Sequence, residues 1–89
     1  MTHEFSLMAN LLQKIEDAAR QDSPDSKVVG VTVRLGALAN ISAGHFREHF
    51  EEAVRGTRAE GAALTIVESS DPADPHAQDI MLESVDVEF

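Results

Sequence analysis

Apolar residues recur at helical spacing near the start of the chain. Leu7, Met8, Leu11, Leu12, Ile15, Ala18 and Ala19 form one stripe, with Asn10, Gln13, Lys14, Glu16 and Asp17 on the other side. That pattern predicts an amphipathic helix over residues 6–20, with Ser6 as its starter. A polar turn with Pro24 follows over residues 21–27, because the residue before a proline is biased away from helix. The period then changes to two: Val29, Val31, Val33 and Leu35 point one way, and Val28, Gly30, Thr32 and Arg34 the other. This is a strand with one buried face, ended by Gly36.

A second helix opens at Ser42, whose hydroxyl suits an N-cap, with Ile41 and Phe46 placed as a hydrophobic staple. Phe46, Phe50, Ala53 and Val54 make its apolar stripe, and Gly56 stands where a C-terminal glycine is expected. Residues 62–68 read as a second strand, with Ala62, Leu64 and Ile66 on one face. A loop with two prolines fills 69–79, and a third strand runs from Ile80 to Phe89. Met81, Val85, Val87 and Phe89 share a parity with Glu83, which predicts a bulge or twist near Glu83 and Ser84.

The order is α-β-α-β-β. It predicts a single α+β domain over 1–89, with two helices packed on one face of a small three-stranded sheet. Leu11, Ile15, Val31, Val33, Phe50 and Ile66 are expected between the layers. The Leu64 strand and the final strand are expected to pair as an antiparallel hairpin across the proline loop.

Composition narrows the function. Apolar residues are 43% of the 89-residue chain, with four Phe and no Trp or Tyr, so Leu, Val, Ile, Met and Ala must build the core. Sixteen acidic residues against seven basic ones leave a net charge of −9. Nucleic acid and anionic membrane both require a cationic surface, so neither is an expected partner. No segment approaches the roughly 20 apolar residues that cross a bilayer. The first residues lack the basic region and apolar run of a secretory signal, which makes the cytoplasm the default address. With no cysteine, thiolate zinc sites, disulfides and Cys nucleophiles are excluded.

Candidate chemistry lies in Met1-Thr2-His3-Glu4. A terminal amine, adjacent backbone amides and an early imidazole can wrap one ion in fused chelate rings. Such nitrogen donors favour square-planar Ni(II) or Cu(II), and they must lose protons to bind. With Met1 retained, His3 is third; with Met1 removed, the chain opens on the Thr2 amine and His3 is second. His45 and His49 are four apart on the second helix, a spacing that can chelate, but their place beside the Phe46/Phe50 stripe reads as a half-exposed border. His76 reads as a solvated loop residue, and Met8 and Met81 as packing. Glu51, Glu52, Asp71 and Asp74 have neither a nucleophile nor a glycine loop to serve, so no enzyme is expected.

Four segments in order resemble the HypA/HybF family of hydrogenase nickel-incorporation proteins. His3-Glu4-Phe5-Ser6-Leu7 resembles its Met-His-Glu-Leu-Ser-Leu opening, and Val33-Arg34-Leu35-Gly36-Ala37-Leu38 its Leu-Glu-Ile-Gly-Glu-Leu segment. Gly56-Thr57-Arg58-Ala59-Glu60-Gly61-Ala62-Ala63-Leu64-Thr65-Ile66 is similar to its Gly-Thr-x-Ala-x-Gly-Ala-x-Leu-x-Ile pattern, and Leu82 to Glu88 to its closing strand. The resemblance implies a nickel metallochaperone that delivers Ni(II) to the [NiFe] hydrogenase large subunit, working with the GTPase HypB. It implies transient Ni(II) on the His3 imidazole, the Met1 or Thr2 amine and the Glu4 backbone amide. Two departures stand out. The family's zinc ribbon, with its Cys-x-x-Cys pairs, is expected to be absent, the short loop 69–79 standing in its place and no zinc being held; and Thr2 shifts His3 by one position. The alternative is a metal-free HypA-like docking or assembly factor.

Overall fold

The computed structural model describes residues 3–39 and 41–88, with side chains from Met8 onward. Its elements are α1 (His3–Asp22), β1 (Lys27–Leu35), α2 (Ala43–Ala53), β2 (Ala63–Glu68) and β3 (Ile80–Glu88). This is the α+β order expected. The helix α1 begins three residues before Ser6, which therefore lies inside it rather than starting it.

On α1, Leu11, Ile15 and Ala19 are buried at four-residue steps, flanked by the partly buried Met8 and Leu12. The exit from α1 is closed by the buried Ser26, whose hydroxyl lies 2.9 Å from both the Ala19 and the Ser23 carbonyl oxygens. Carbonyls at a helix end lack intrahelical donors, so a buried hydroxyl there replaces lost water.

The sheet order is β2-β1-β3, with β1 parallel to β2 and antiparallel to β3. The expected hairpin between the Leu64 strand and the last strand is therefore not formed: both flank β1 instead. The physical reason is the helix between β1 and β2. A strand followed by a crossover helix returns parallel to itself, so β1, α2 and β2 make a βαβ unit. The loop 69–79 then has to carry the chain over the end of β1 to its far side. It is tied there by the Gly36 N–H to Asp79 O (3.0 Å), the Leu38 N–H to Ala77 O (2.7 Å) and the Ser69 N–H to Leu35 O (2.9 Å).

Two irregularities set which residues face inward. Val28 pairs with Val87 while Gly30 pairs with Asp86, so Val29 is an extra residue in β1. Val28 is consequently buried with Val31, Val33 and Leu35, and Val29 is only half-buried, which corrects the simple alternation. Thr32 pairs with Ser84 and Val33 with Leu82, so Glu83 bulges from β3, where the mixed parity placed it. Ile80, Leu82, Val85 and Val87 pack on the core, whereas Met81 pairs with Arg34 on the opposite face and is not core packing.

Both helices cover that one face. Phe46 and Phe50 are fully buried, their ring centroids 6.2 Å apart, in one cluster with Leu11, Ile15, Val31 and Val33. Ile66 is half-buried rather than buried, because it sits toward the end of an edge strand. The helices run in the same direction, each antiparallel to β1; Met8, Leu12, His49 and Ala53 line one groove, and farther along Glu16 bonds Arg58 at 3.0 Å. The other sheet face carries Thr32, Arg34, Thr65, Val67 and Ser84, with Arg34 and Glu83 paired at 2.6 Å.

Candidate metal centre

Met1 and Thr2, the two candidate amine donors, lie outside the described residues. His3 and Glu4 form the first two positions of α1. The first four N–H groups of an α-helix have no acceptor within the helix, so amide nitrogens at this place can be used without breaking a helical hydrogen bond. His3 and Glu4 are therefore in the first turn of a helix.

The remaining histidines are described in full. His45 and His49 both lie on the exposed face of α2, more open than a half-exposed border, and their Nε2 atoms approach to 2.9 Å. The Ser42 hydroxyl accepts the His45 N–H at 3.2 Å, which is the N-cap expected of it. His76 is exposed in the loop and its Nδ1 lies 3.0 Å from an Asp79 carboxylate oxygen. Among the described residues, no group of three or more His, Asp or Glu side chains converges on one point.

Two of the candidate carboxylates have structural tasks. The Asp71 carboxylate accepts the Ala73 N–H at 2.9 Å and the Asp74 carboxylate accepts the His76 N–H at 2.8 Å, each closing a turn of the loop. Glu51 and Glu52 are exposed on α2. Among the described residues, no helix is long and apolar enough to cross a membrane.

The Gly56-to-Ile66 motif has a physical reading residue by residue. Gly56 and Gly61 both have φ of +80°, a region that residues with a Cβ rarely occupy. The Thr57 hydroxyl donates to Val54 O at 2.7 Å and accepts the Ala59 N–H at 3.1 Å. Ala59 and Leu64 are buried, and Ala62 and Ile66 pack beside them. Arg58 reaches Glu16 at 3.0 Å and Ser26 O at 3.1 Å, and its own carbonyl accepts the Val28 N–H at 3.0 Å. This segment clamps the start of β2 to the turn between α1 and β1. Sequence reading recognised the motif but did not see Arg58 as its anchor; a cation at a fixed offset from two left-handed glycines was the available signal.

Comparison with known proteins agrees with this frame. Residues 1–74 match the family model described as "HypA: Hydrogenase/urease nickel incorporation, metallochaperone, hypA". The hydrogenase maturation factor HypA of Dechloromonas aromatica (strain RCB) is 38% identical over 65 residues, covering 73% of this chain and 57% of the relative. That of Chlorobaculum tepidum is 35% identical over 66 residues, covering 74% and 58%. That of Xanthobacter autotrophicus is 34% identical over 71 residues, covering 80% and 62%. The chain thus spans somewhat under two thirds of the length of the curated relatives it matches. With most of its length matched by the family model and by relatives above 30% identity, the chain belongs to the HypA family of hydrogenase and urease nickel-incorporation metallochaperones.

Proposed function

We propose that this chain is a nickel metallochaperone that binds Ni(II) through its N-terminus and passes it to the large subunit of a [NiFe] hydrogenase. Nickel is its cargo, held transiently; the compartment is the cytoplasm, and the GTPase HypB is a candidate partner. The donors are the terminal amine of Met1 or Thr2, backbone amide nitrogen including that of Glu4, and the His3 imidazole.

The observation that carries this reading is the place of His3 at the first turn of α1 in a chain of this family. The positive end of a helix dipole disfavours a bare cation. Deprotonated amide donors offset the charge of the ion, so an amide-bound nickel suits a helix N-terminus better than one held by neutral ligands alone. The same amides have no helical acceptor to lose.

The test is calorimetric titration of Ni(II) into untagged protein. One high-affinity site per chain is expected. His3→Ala, which removes the imidazole, and N-terminal acetylation, which blocks the amine, should each weaken it strongly and leave the fold intact. His49→Ala should leave that site unchanged. Because amide ligands must lose protons, binding should strengthen from mildly acid to mildly alkaline pH. If untagged protein takes up no nickel at high affinity, or His3→Ala binds as well, the terminal site is wrong and a metal-free docking role takes its place.

A further inference from the structure

The two histidines of α2 carry a second inference. His45 and His49 stand one helical turn apart, exposed, with Nε2 atoms 2.9 Å apart. Their ring centroids are 4.4 Å apart and the planes are inclined at 40°. The Nε2 approach is a hydrogen bond in which one Nε2–H donates to the other Nε2. The two nitrogens are thus within reach of each other, and a metal ion that displaces the shared proton can take both.

First-row metals hold imidazole nitrogen at about 2.0–2.1 Å, so two donors on one ion stand about 2.9–3.4 Å apart. The 2.9 Å approach of the two exposed rings lies within that reach. Imidazole nitrogen suits Ni(II), Cu(II) and Zn(II) alike, and Ni(II) is taken as the ion because it is the cargo in the function proposed above.

The helix that carries the pair is anchored. The two phenylalanines beside it on α2, Phe46 and Phe50, are buried, and the Ser42 cap fixes the first turn of the helix. His49 borders the groove it shares with Met8. Since the helices run in the same direction, the pair lies toward the end of the layer at which α1 begins. Among the described residues no third ligating side chain completes the site, which leaves its other positions to water or to donors from another protein. The net charge of −9 concentrates divalent cations around it.

We propose that His45 and His49 form a second, open chelating site for Ni(II), separate from the terminal one and independent of it. Two ligands and free coordination positions make it weak and readily exchanged, which suits an ion in transit and not a structural metal.

The experiment titrates Ni(II) alone into the full chain carrying His3→Ala, then into the same chain with His45→Ala, His49→Ala or both added. In His3→Ala a weaker site should persist, with the affinity of the second binding step of the wild type. Each added single substitution should weaken that site roughly tenfold or more, as much as the pair together, because a chelate loses its advantage with either arm. Both side chains are exposed, so circular dichroism and melting temperature should not change. Independent, additive losses from the two substitutions would overturn chelation. A residual site in His3→Ala that ignores both, or none at all, would overturn the proposal; neither result bears on the terminal site, which is read from the high-affinity step of wild type.

Discussion

At Gly36 the chain leaves β1 and passes beneath the loop 69–79 with no room for a side chain. A Cβ built there would fall on the Ala77 carbonyl, and 2.6 Å from the His76 oxygen. These are backbone atoms, tied by the Leu38 N–H to Ala77 O and the Gly36 N–H to Asp79 O hydrogen bonds, so they cannot swing aside as a flexible side chain would. Gly36→Ala should therefore cost about 1–3 kcal/mol, the range for forcing atoms into a packed site. Gly44 is the contrast. Nothing lies within 4 Å of its Cβ direction, and it sits in the first turn of α2. Gly44→Ala should be neutral or stabilising by up to about 1 kcal/mol, since alanine loses less entropy in a helix. Urea melts of the two variants beside wild type give the comparison; equal destabilisation would show that the loop yields.

Among the elements, α2 depends most on a single local contact. It has 11 residues, too short to stand without packing and capping. Its packing comes from Phe46 and Phe50, and its N-terminal donor is met by the Ser42 hydroxyl at 3.2 Å from the His45 N–H. Ser42→Ala should cost about 1 kcal/mol, the usual value of such a cap, seen as a lower denaturant midpoint with an unchanged slope. A change below a few tenths would mean that water replaces the hydroxyl at no cost. The legibility of the elements follows the same division between local and distant causes. Ser42, the Phe46/Phe50 stripe and the Glu83 bulge were legible because each is written within a few residues. The Val29 bulge was not, since four consecutive valine or glycine positions fit either parity and only pairing with Val87 and Asp86 decides. The parallel return of β2 was missed because the proline loop resembled a hairpin connection, whereas the intervening α2 governs the topology. His3 was legible as a motif. The facing of His45 and His49 was visible only as a spacing, because the convergence of their nitrogens depends on side-chain rotation.

At the scale of the whole molecule, the connection between β2 and β3 is the longest irregular segment the fold has to hold. The chain has no cysteine with which to hold zinc through thiolates. The connection between β2 and β3 is instead closed by protein groups: three backbone hydrogen bonds to the end of β1, two aspartate-closed turns and the buried Ala77. A structural zinc site stabilises its domain outright, and chelators unfold domains that rely on one. The His45–His49 pair offers two donors, and among the described residues no third ligating side chain joins them, too few for a closed tetrahedral site. The dialysed protein should then contain far less than one zinc per chain, and a chelator should leave its melting temperature unchanged within error. Elemental analysis and paired thermal melts with and without chelator measure both quantities. One zinc per chain surviving dialysis, or a melting temperature that falls when metal is stripped, would mean that a metal ion takes part in holding the fold.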